Sequence, residues 1–252
     1  MAQQRTVVVT GAGSKRGIGR ETAFHLARAG WSVAILDIDG ATAEDSAKDV
    51  AAETGAKTIG LAVNVTDPVS VDKAISRVEA EMPPVEALVN IAGVTGKYTF
   101  MELTLAEWDR VFNVSVRGTF IVTQRVLPLL LASGHGRIVN MSSVSGERGG
   151  GVFGGAHYSA AKAAVQGVTK ALARELADKG VTVNCVAPGL IDTDITEGKL
   201  TPELRASVEA SIGMHRLGRA EEVAAVIAFL ASDAASYVTG ATYDINGGSH
   251  IH

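Results

Sequence analysis

Thr6-Val7-Val8-Val9-Thr10-Gly11-Ala12-Gly13-Ser14-Lys15-Arg16-Gly17-Ile18-Gly19 decides how the rest of the chain reads. A strand centred on three valines is too apolar to leave a face in water, so it has to be covered on both sides. The glycines after it permit positive φ and close backbone approach. A helical pattern begins at Ile18, and its free N–H groups lie at the end of the turn. Strand, glycine turn and helix N-terminus together make a cradle for a pyrophosphate. The strict G-x-G-x-x-G fingerprint fails, because Arg16 stands in the place of its third glycine.

Outward from this unit, short apolar runs alternate with helical patterns. Further strands are expected at residues 32–36, 58–63, 87–90, 137–141, 181–186 and 242–245. Helices are expected at 18–29, 41–54, 69–81, 105–132, 158–178, 202–211 and 220–231. Such alternation implies right-handed crossovers and an α/β doubly wound Rossmann fold, three layers around a central parallel sheet of about seven strands. No composition break marks a linker, so residues 1–252 read as a single dinucleotide-binding domain. Irregular stretches fall at 146–156 and 190–213, and the second is expected to form a substrate-binding lid.

Composition narrows the function. With 46% hydrophobic and 20% charged residues, the 252-residue chain can bury a sizeable core and is neither disordered nor fibrous. A net charge of -4, with Lys and Arg scattered, lacks the basic footprint of a nucleic-acid binder. The single cysteine, Cys185, rules out an intrachain disulfide framework; in its apolar run it reads as a buried thiol suited to a reducing cytoplasm. Residues 1–5 have no apolar signal region. Residues 120–131 are interrupted by Gln124, Arg125 and Pro128, short of the roughly 20 apolar residues of a membrane span. A soluble cytoplasmic protein without nucleic-acid or membrane partners is expected. The histidines show no metal-ligand spacing apart from His250 and His252, which read as a solvated tail or subunit contact, so no metal is expected.

Asp37 ends the second strand about 20 residues beyond the glycine loop, where a carboxylate accepts hydrogen bonds from an adenosine ribose. The same carboxylate repels a 2′-phosphate, whereas Arg16 beside the loop can pair with one. NAD is therefore the expected cofactor, with NADP open.

Tyr158 and Lys162 are four positions apart and share a helix face. Two unit charges about 4 Å apart at an effective dielectric of about 20 interact by roughly 4 kcal/mol. An ammonium so placed brings a phenol close to neutrality and makes it a usable acid/base. Tyr-x-x-x-Lys alone is a weak signal, but four more motifs accompany it in order. They are the loop from Thr10 to Gly19, Asn90-Ile91-Ala92-Gly93, Met141-Ser142-Ser143, and Pro188-Gly189-Leu190-Ile191-Asp192-Thr193.

In these motifs, over nearly its whole length, the chain resembles the short-chain dehydrogenase/reductase family. The resemblance implies that Ser143 hydrogen-bonds the substrate oxygen and Tyr158 is the general acid/base. Lys162 would bind the nicotinamide ribose and lower the Tyr158 pKa. It implies cofactor contacts at Gly11, Ser14, Arg16, Gly17 and Ile18 in the loop and at Asp37, Asn64 and Val65 on the adenosine side. Asn90, Ala92 and Gly93 would follow the fourth strand, and Pro188, Gly189, Ile191 and Thr193 would hold the nicotinamide half. Asn64 stands where the family usually has an aspartate and is expected to accept from the adenine amine. A homotetramer is implied, assembled through the long helices and the C-terminal strand.

The chain departs from the family pattern at three points. The glycine loop is two residues longer between Gly11 and Gly17, and Ser143 stands fifteen residues before Tyr158, slightly more than usual. Counting from Trp108, the position of the family's catalytic asparagine is Ser115; Asn113 is two residues early and on a helix faces away. A working proton relay with altered geometry at Ser115 is expected. The leading function is hydride transfer between NAD(H) and a secondary alcohol or ketone. The alternatives are an NADPH-dependent 3-oxoacyl-carrier-protein reductase and a catalytically silent dinucleotide sensor. Against the reductase stand Asp37 and the residues Ala132-Ser133-Gly134-His135, which lack a basic docking residue. Val94, Thr95, Ser145, Gly150, Val152, Phe153, Leu190 and Ile195 are expected to face the substrate, a mostly apolar set with no placed charged anchor.

Overall fold

The computed structural model describes residues 4–196 and 200–251. Residues 197–199 of the expected lid and His252 of the tail lie outside the described residues. The first half runs β1 (Thr6–Thr10), α1 (Ile18–Arg28), β2 (Ser32–Asp37), α2 (Gly40–Thr54), β3 (Thr58–Ala62), α3 (Pro68–Glu81) and β4 (Val85–Asn90). It continues with α4 (Leu105–Phe112), a π-helical turn (Asn113–Arg117), α5 (Gly118–Ser133), β5 (Arg137–Met141), α6 (Ser145–Arg148) and α7 (Ala156–Leu176). The last elements are β6 (Thr182–Pro188), α8 (Pro202–Ser211), α9 (Ala220–Leu230) and β7 (Thr242–Ile245).

The seven strands form one parallel sheet in the order β3-β2-β1-β4-β5-β6-β7. The strand alternation of period two explains the layers. Val7, Val9, Val33 and Ile35 face a core closed by α1, α2 and α9, through Phe24, Val50 and Ile227 among others. Val8, Ala34, Leu36 and Leu88 face the opposite core, closed by α3, α5 and α7 through Ile75, Leu130 and Leu176. This is the three-layer Rossmann-type arrangement expected from the sequence.

The order reverses between β1 and β4, whose ends Thr10 and Asn90 are paired. In a doubly wound sheet that switch point opens the ligand crevice. The Thr10 hydroxyl accepts hydrogen bonds from the Ile91 and Ala92 amides at 3.1 and 3.2 Å, fixing the two loops that leave this edge. Asn90 bridges to Thr123 and to Asn140 at 3.0 and 2.9 Å, tying β4 to α5 and β5.

Two expectations are refined. The helix expected over 105–132 runs from Leu105 to Ser133 and carries a π-helical turn at Asn113–Arg117. An extra residue in a helix leaves no mark in a pattern of period 3.6, and such turns gather at functional sites. The irregular stretch at 146–156 likewise begins inside a short helical turn, α6. The helical run Leu105–Ser133 is long and apolar enough by length and composition to cross a membrane, but 44% of its 18-residue apolar window is buried in the protein interior. Its α5 portion lies over β4 and against α3, and these contacts account for its apolar character.

Candidate active site

A cavity of about 620 Å³ opens at the switch point and extends from the glycine loop to α7. At one end Gly11 adopts φ +69°, and a Cβ there would stand 2.8 Å from the Ala92 backbone, so only glycine admits the close approach of the two loops. Gly17 caps α1 with no side-chain hydrogen bond, leaving the first-turn amides of the helix available. Asp37 accepts the Gly13 amide at 2.8 Å through one carboxylate oxygen, which fixes the group at the cavity wall. Its other oxygen, 3.4 Å from the Asp39 amide, retains acceptor capacity.

The cavity is lined by Gly11, Ser14, Gly17, Ile18, Asp37, Asn64, Val65, Ala92, Gly93, Pro188, Gly189, Ile191 and Thr193, together with Ser143, Tyr158 and Lys162. Arg16, Asn90 and Ser115 do not line it. The Arg16 guanidinium instead meets Asp192 at 2.8 Å and Asp194 at 4.0 Å. Asn64 also behaves differently from expectation. Its carbonyl oxygen already accepts the amide and hydroxyl of Thr66 at 3.0 and 2.8 Å, so the side chain offers a donor, not an acceptor. An Asx turn of this kind is local chemistry that the resemblance does not register.

At the other end, α7 presents Tyr158 and Lys162 beside β5. Burial raises the Tyr158 phenol above its ordinary value, with a hydrogen bond to Ser143 pulling it partly back. Lys162 is 3% exposed; its ammonium donates to the Met141 carbonyl at 2.8 Å and lies 5.6 Å from the centroid of the Tyr158 ring. Desolvation lowers it to about 8. The expectation that Lys162 draws the phenol toward neutrality is thus not met by the chain's own atoms. The ammonium faces the ring, and the same burial that raises the phenol weakens the cation. Ser143 accepts the Ser145 amide at 3.2 Å. Ser142, absent from the expected set, accepts from Gln166 at 3.1 Å and donates to the Lys162 carbonyl at 2.9 Å, locking the α7 turn that carries the pair.

The π-helical turn places Ser115 in the interior, 1% exposed, and its hydroxyl finds no hydrogen-bond partner among the described residues. A Cβ added at Gly93 would stand 3.4 Å from Lys162 Nζ and 3.5 Å from Ser115 Oγ, so both groups border one small volume beside Gly93. His157, next to Tyr158, is fully buried, and the nearest carboxylate oxygen, on Glu107, is 3.7 Å from its Nε2.

Two carboxylates after β6 tie that segment to the glycine loop. Asp194 accepts the Ser14 hydroxyl at 2.6 Å and the Arg16 amide at 3.0 Å. These donors hold its carboxyl below the ordinary value. Asp192 joins Arg16 to Arg205 of α8, the latter at 2.9 Å. Sequence reasoning missed this network because its partners are as much as 180 residues apart and no spacing announces them. Of the expected substrate-facing residues, all but Gly150 line the cavity, and Arg148, Val208, Ser211 and Ile212 join them.

The residues present fit a dinucleotide: a glycine-lined cradle at a helix N-terminus, a fixed carboxylate for a ribose, and a buried lysine bordering Gly93. Comparison with known proteins agrees. A family model described as enoyl-(acyl carrier protein) reductase matches residues 11–250. An uncharacterized short-chain type dehydrogenase/reductase of Sinorhizobium fredii is 46% identical over 248 residues, 98% of each chain. The 3-oxoacyl-[acyl-carrier-protein] reductase of Escherichia coli is 41% identical over 98% of each chain. That of Aquifex aeolicus is 41% identical over 98% of this chain and 97% of its own. Fold, motif order and these near full-length likenesses agree that the chain belongs to the short-chain dehydrogenase/reductase family of oxidoreductases.

Proposed function

We propose that the protein transfers a hydride between NAD(H) and a secondary alcohol or ketone, with Tyr158 as general acid/base. The observation that carries this reading is that Ser143, Tyr158 and Lys162 meet at one end of the cavity whose other end is the glycine cradle with Asp37. A bound nicotinamide supplies or accepts the hydride. The protein's task is then the oxygen of the substrate. Ser143 donates a hydrogen bond to it, and the Tyr158 phenol delivers a proton as a carbonyl is reduced. Burial keeps that phenol protonated, so carbonyl reduction proceeds at neutral pH, while alcohol oxidation needs the phenolate and gains rate as pH rises. Lys162, pinned by the Met141 carbonyl, orients the nicotinamide ribose, and Ser115 takes part in a water-linked relay from Lys162.

Asp37 supports NAD over NADP, as does Arg16, whose guanidinium is held by Asp192 away from the cavity. The second reading, NADPH-dependent reduction of a 3-oxoacyl group on an acyl carrier protein, is favoured by the names of the Escherichia coli and Aquifex aeolicus relatives. The proposal places the protein in the cytoplasm as a homotetramer, checked by sedimentation. Steady-state kinetics over an alcohol and ketone panel with both cofactors separates the readings. Turnover with NAD(H) preferred supports the first; NADPH preference with a 3-oxoacyl thioester as best substrate moves the assignment to the second. Cofactor binding without turnover of any panel member points to a dinucleotide sensor.

A further inference from the structure

Several arginines in this part of the chain are paired with carboxylates. Arg16 and Arg205 share Asp192, and Arg216 is paired with Glu222 at 2.7 Å. Arg148 differs. It lines the same cavity as Ser143 and Tyr158, and among the described residues its guanidinium makes one hydrogen bond, to the Ser249 carbonyl at 2.9 Å. No carboxylate partners it among the described residues. A carbonyl takes one of five guanidinium donors and no charge, so the rest of the fork stays available.

Three features aim that fork at substrate. Arg148 is the last residue of α6, which Ser145 begins, and residues three apart on a helix lie on one face. Ser145 in turn borders the Tyr158 ring: a Cβ added at Gly154 would be 2.7 Å from Tyr158 Cδ1 and 3.4 Å from Ser145 Oγ. Second, the chain near the C-terminus is folded back as a fixed turn, with the Gly248 amide on Asn246 Oδ1 at 2.8 Å and the Asn246 side chain on the His250 carbonyl at 3.0 Å. The carbonyl that holds Arg148 is therefore itself positioned. Third, the surrounding wall is apolar: Val152, Phe153, Leu190, Ile195, Val208 and Ile212. The carboxylates that line the cavity, Asp37 and Asp194, lie in the cofactor half and are already engaged, by the Gly13 amide and by Ser14 with Arg16.

We infer that Arg148 is the anion anchor of the substrate site, and that the preferred substrate is a hydroxy or oxo acid whose carboxylate pairs with Arg148 while its alkyl chain covers the apolar wall. The inference deepens the proposed hydride transfer and rests on that reading for the reacting carbon. A guanidinium forked onto a carboxylate gains from charge and from two parallel hydrogen bonds. Arg148 is exposed at the cavity edge, which screens the pair, so the effect expected on affinity is about tenfold.

Calorimetric titration of the NADH- or NADPH-saturated protein with hexanoate and with its neutral analogue hexanamide tests this without requiring turnover. The expected result is tighter binding of hexanoate than of hexanamide. Arg148→Ala should weaken hexanoate about tenfold and leave hexanamide within about twofold, and Arg148→Lys should recover part of the loss. Equal binding of the two probes, no binding of either, or an equal loss of both in Arg148→Ala overturns the assignment. So does discrimination of phosphopantetheine from pantetheine with none between hexanoate and hexanamide, since the anion is then a phosphate. Failure of the hydride-transfer reading shows separately, as absent turnover in a protein that still distinguishes the acid from the amide.

Discussion

The two ends of the cavity are built on opposite principles. In the cofactor half, polar side chains that line the cavity are held in place by the chain itself: Asp37 holds Gly13, Asp194 holds Ser14 and Arg16, and Asn64 holds Thr66. In the catalytic half, the buried Ser115 hydroxyl has no hydrogen-bond partner among the described residues, His157 has the Glu107 carboxylate 3.7 Å from its Nε2, and Lys162 is held as a cation at a desolvation cost. A buried polar group left unpaired costs about 1–3 kcal/mol. Under the proposed function, the first half binds the cofactor and the second leaves buried groups free for chemistry.

Removing the buried cation should break this contrast most strongly. Lys162→Met is expected to cut turnover about a hundredfold or more, read from kcat, while the protein becomes more stable. The sign follows from linkage. Folded Lys162 titrates at about 8 against 10.5 for an ordinary lysine, so between those values the unfolded chain binds more protons. The Lys162 contribution to wild-type stability therefore climbs as pH rises through that window, most visibly between about 8 and 9, above which the buried Cys185 thiol, pushed up to about 11, opposes it. In the Met variant this climb should vanish, as urea unfolding at several pH values will show.

A change in the cofactor half should shift preference and leave chemistry intact. Asp37→Ser removes the carboxylate opposed to a 2′-phosphate, and the ratio of kcat/KM for NADPH over NADH should rise about tenfold or more at unchanged kcat. If kcat falls instead, Asp37 supports the catalytic end and the division fails.

Ser115→Ala sharpens the contrast. Deleting an unpartnered buried hydroxyl should leave the melting temperature unchanged or slightly higher, yet lower kcat about tenfold and alter its pH profile. Unchanged turnover and pH profile would remove Ser115 from the relay.

The smallest effect belongs to the Asp192 ion pairs. Asp192→Asn releases Arg16 and Arg205, both substantially exposed, so stability should change by less than about 1 kcal/mol. The KM for cofactor should rise a few-fold and lose part of its dependence on salt, measured by initial rates.

The same contrast sets what was legible in the chain. Strand and helix order, the switch point, the Gly11 turn, Asp37, and Tyr158 with Lys162 follow from hydrophobic period and fixed spacing, and the structure places them on one cavity. Ser115 was legible as a departure, but its setting in a π-helical turn was not, since one inserted residue does not disturb the apolar pattern around it. Asn64 turning its acceptor to Thr66, Arg16 turning to Asp192, and Arg148 turning to Ser249 are side-chain choices. They depend on neighbours set by the tertiary fold, which periodicity does not encode. The raised Tyr158 phenol is of the same kind, because spacing conveys the attraction of Lys162 but not the burial of both groups.

The most direct test of the central claim is Tyr158→Phe, with NADH binding followed by fluorescence and ketone reduction followed by NADH absorbance on the same protein. Loss of the phenolic hydroxyl should leave the NADH dissociation constant within about threefold and reduce kcat by about a hundredfold to ten-thousandfold. Turnover in Tyr158→Phe equal to that of the wild type, with NADH still bound, would contradict the assignment of Tyr158 as the acid/base and with it the reading of this end of the cavity.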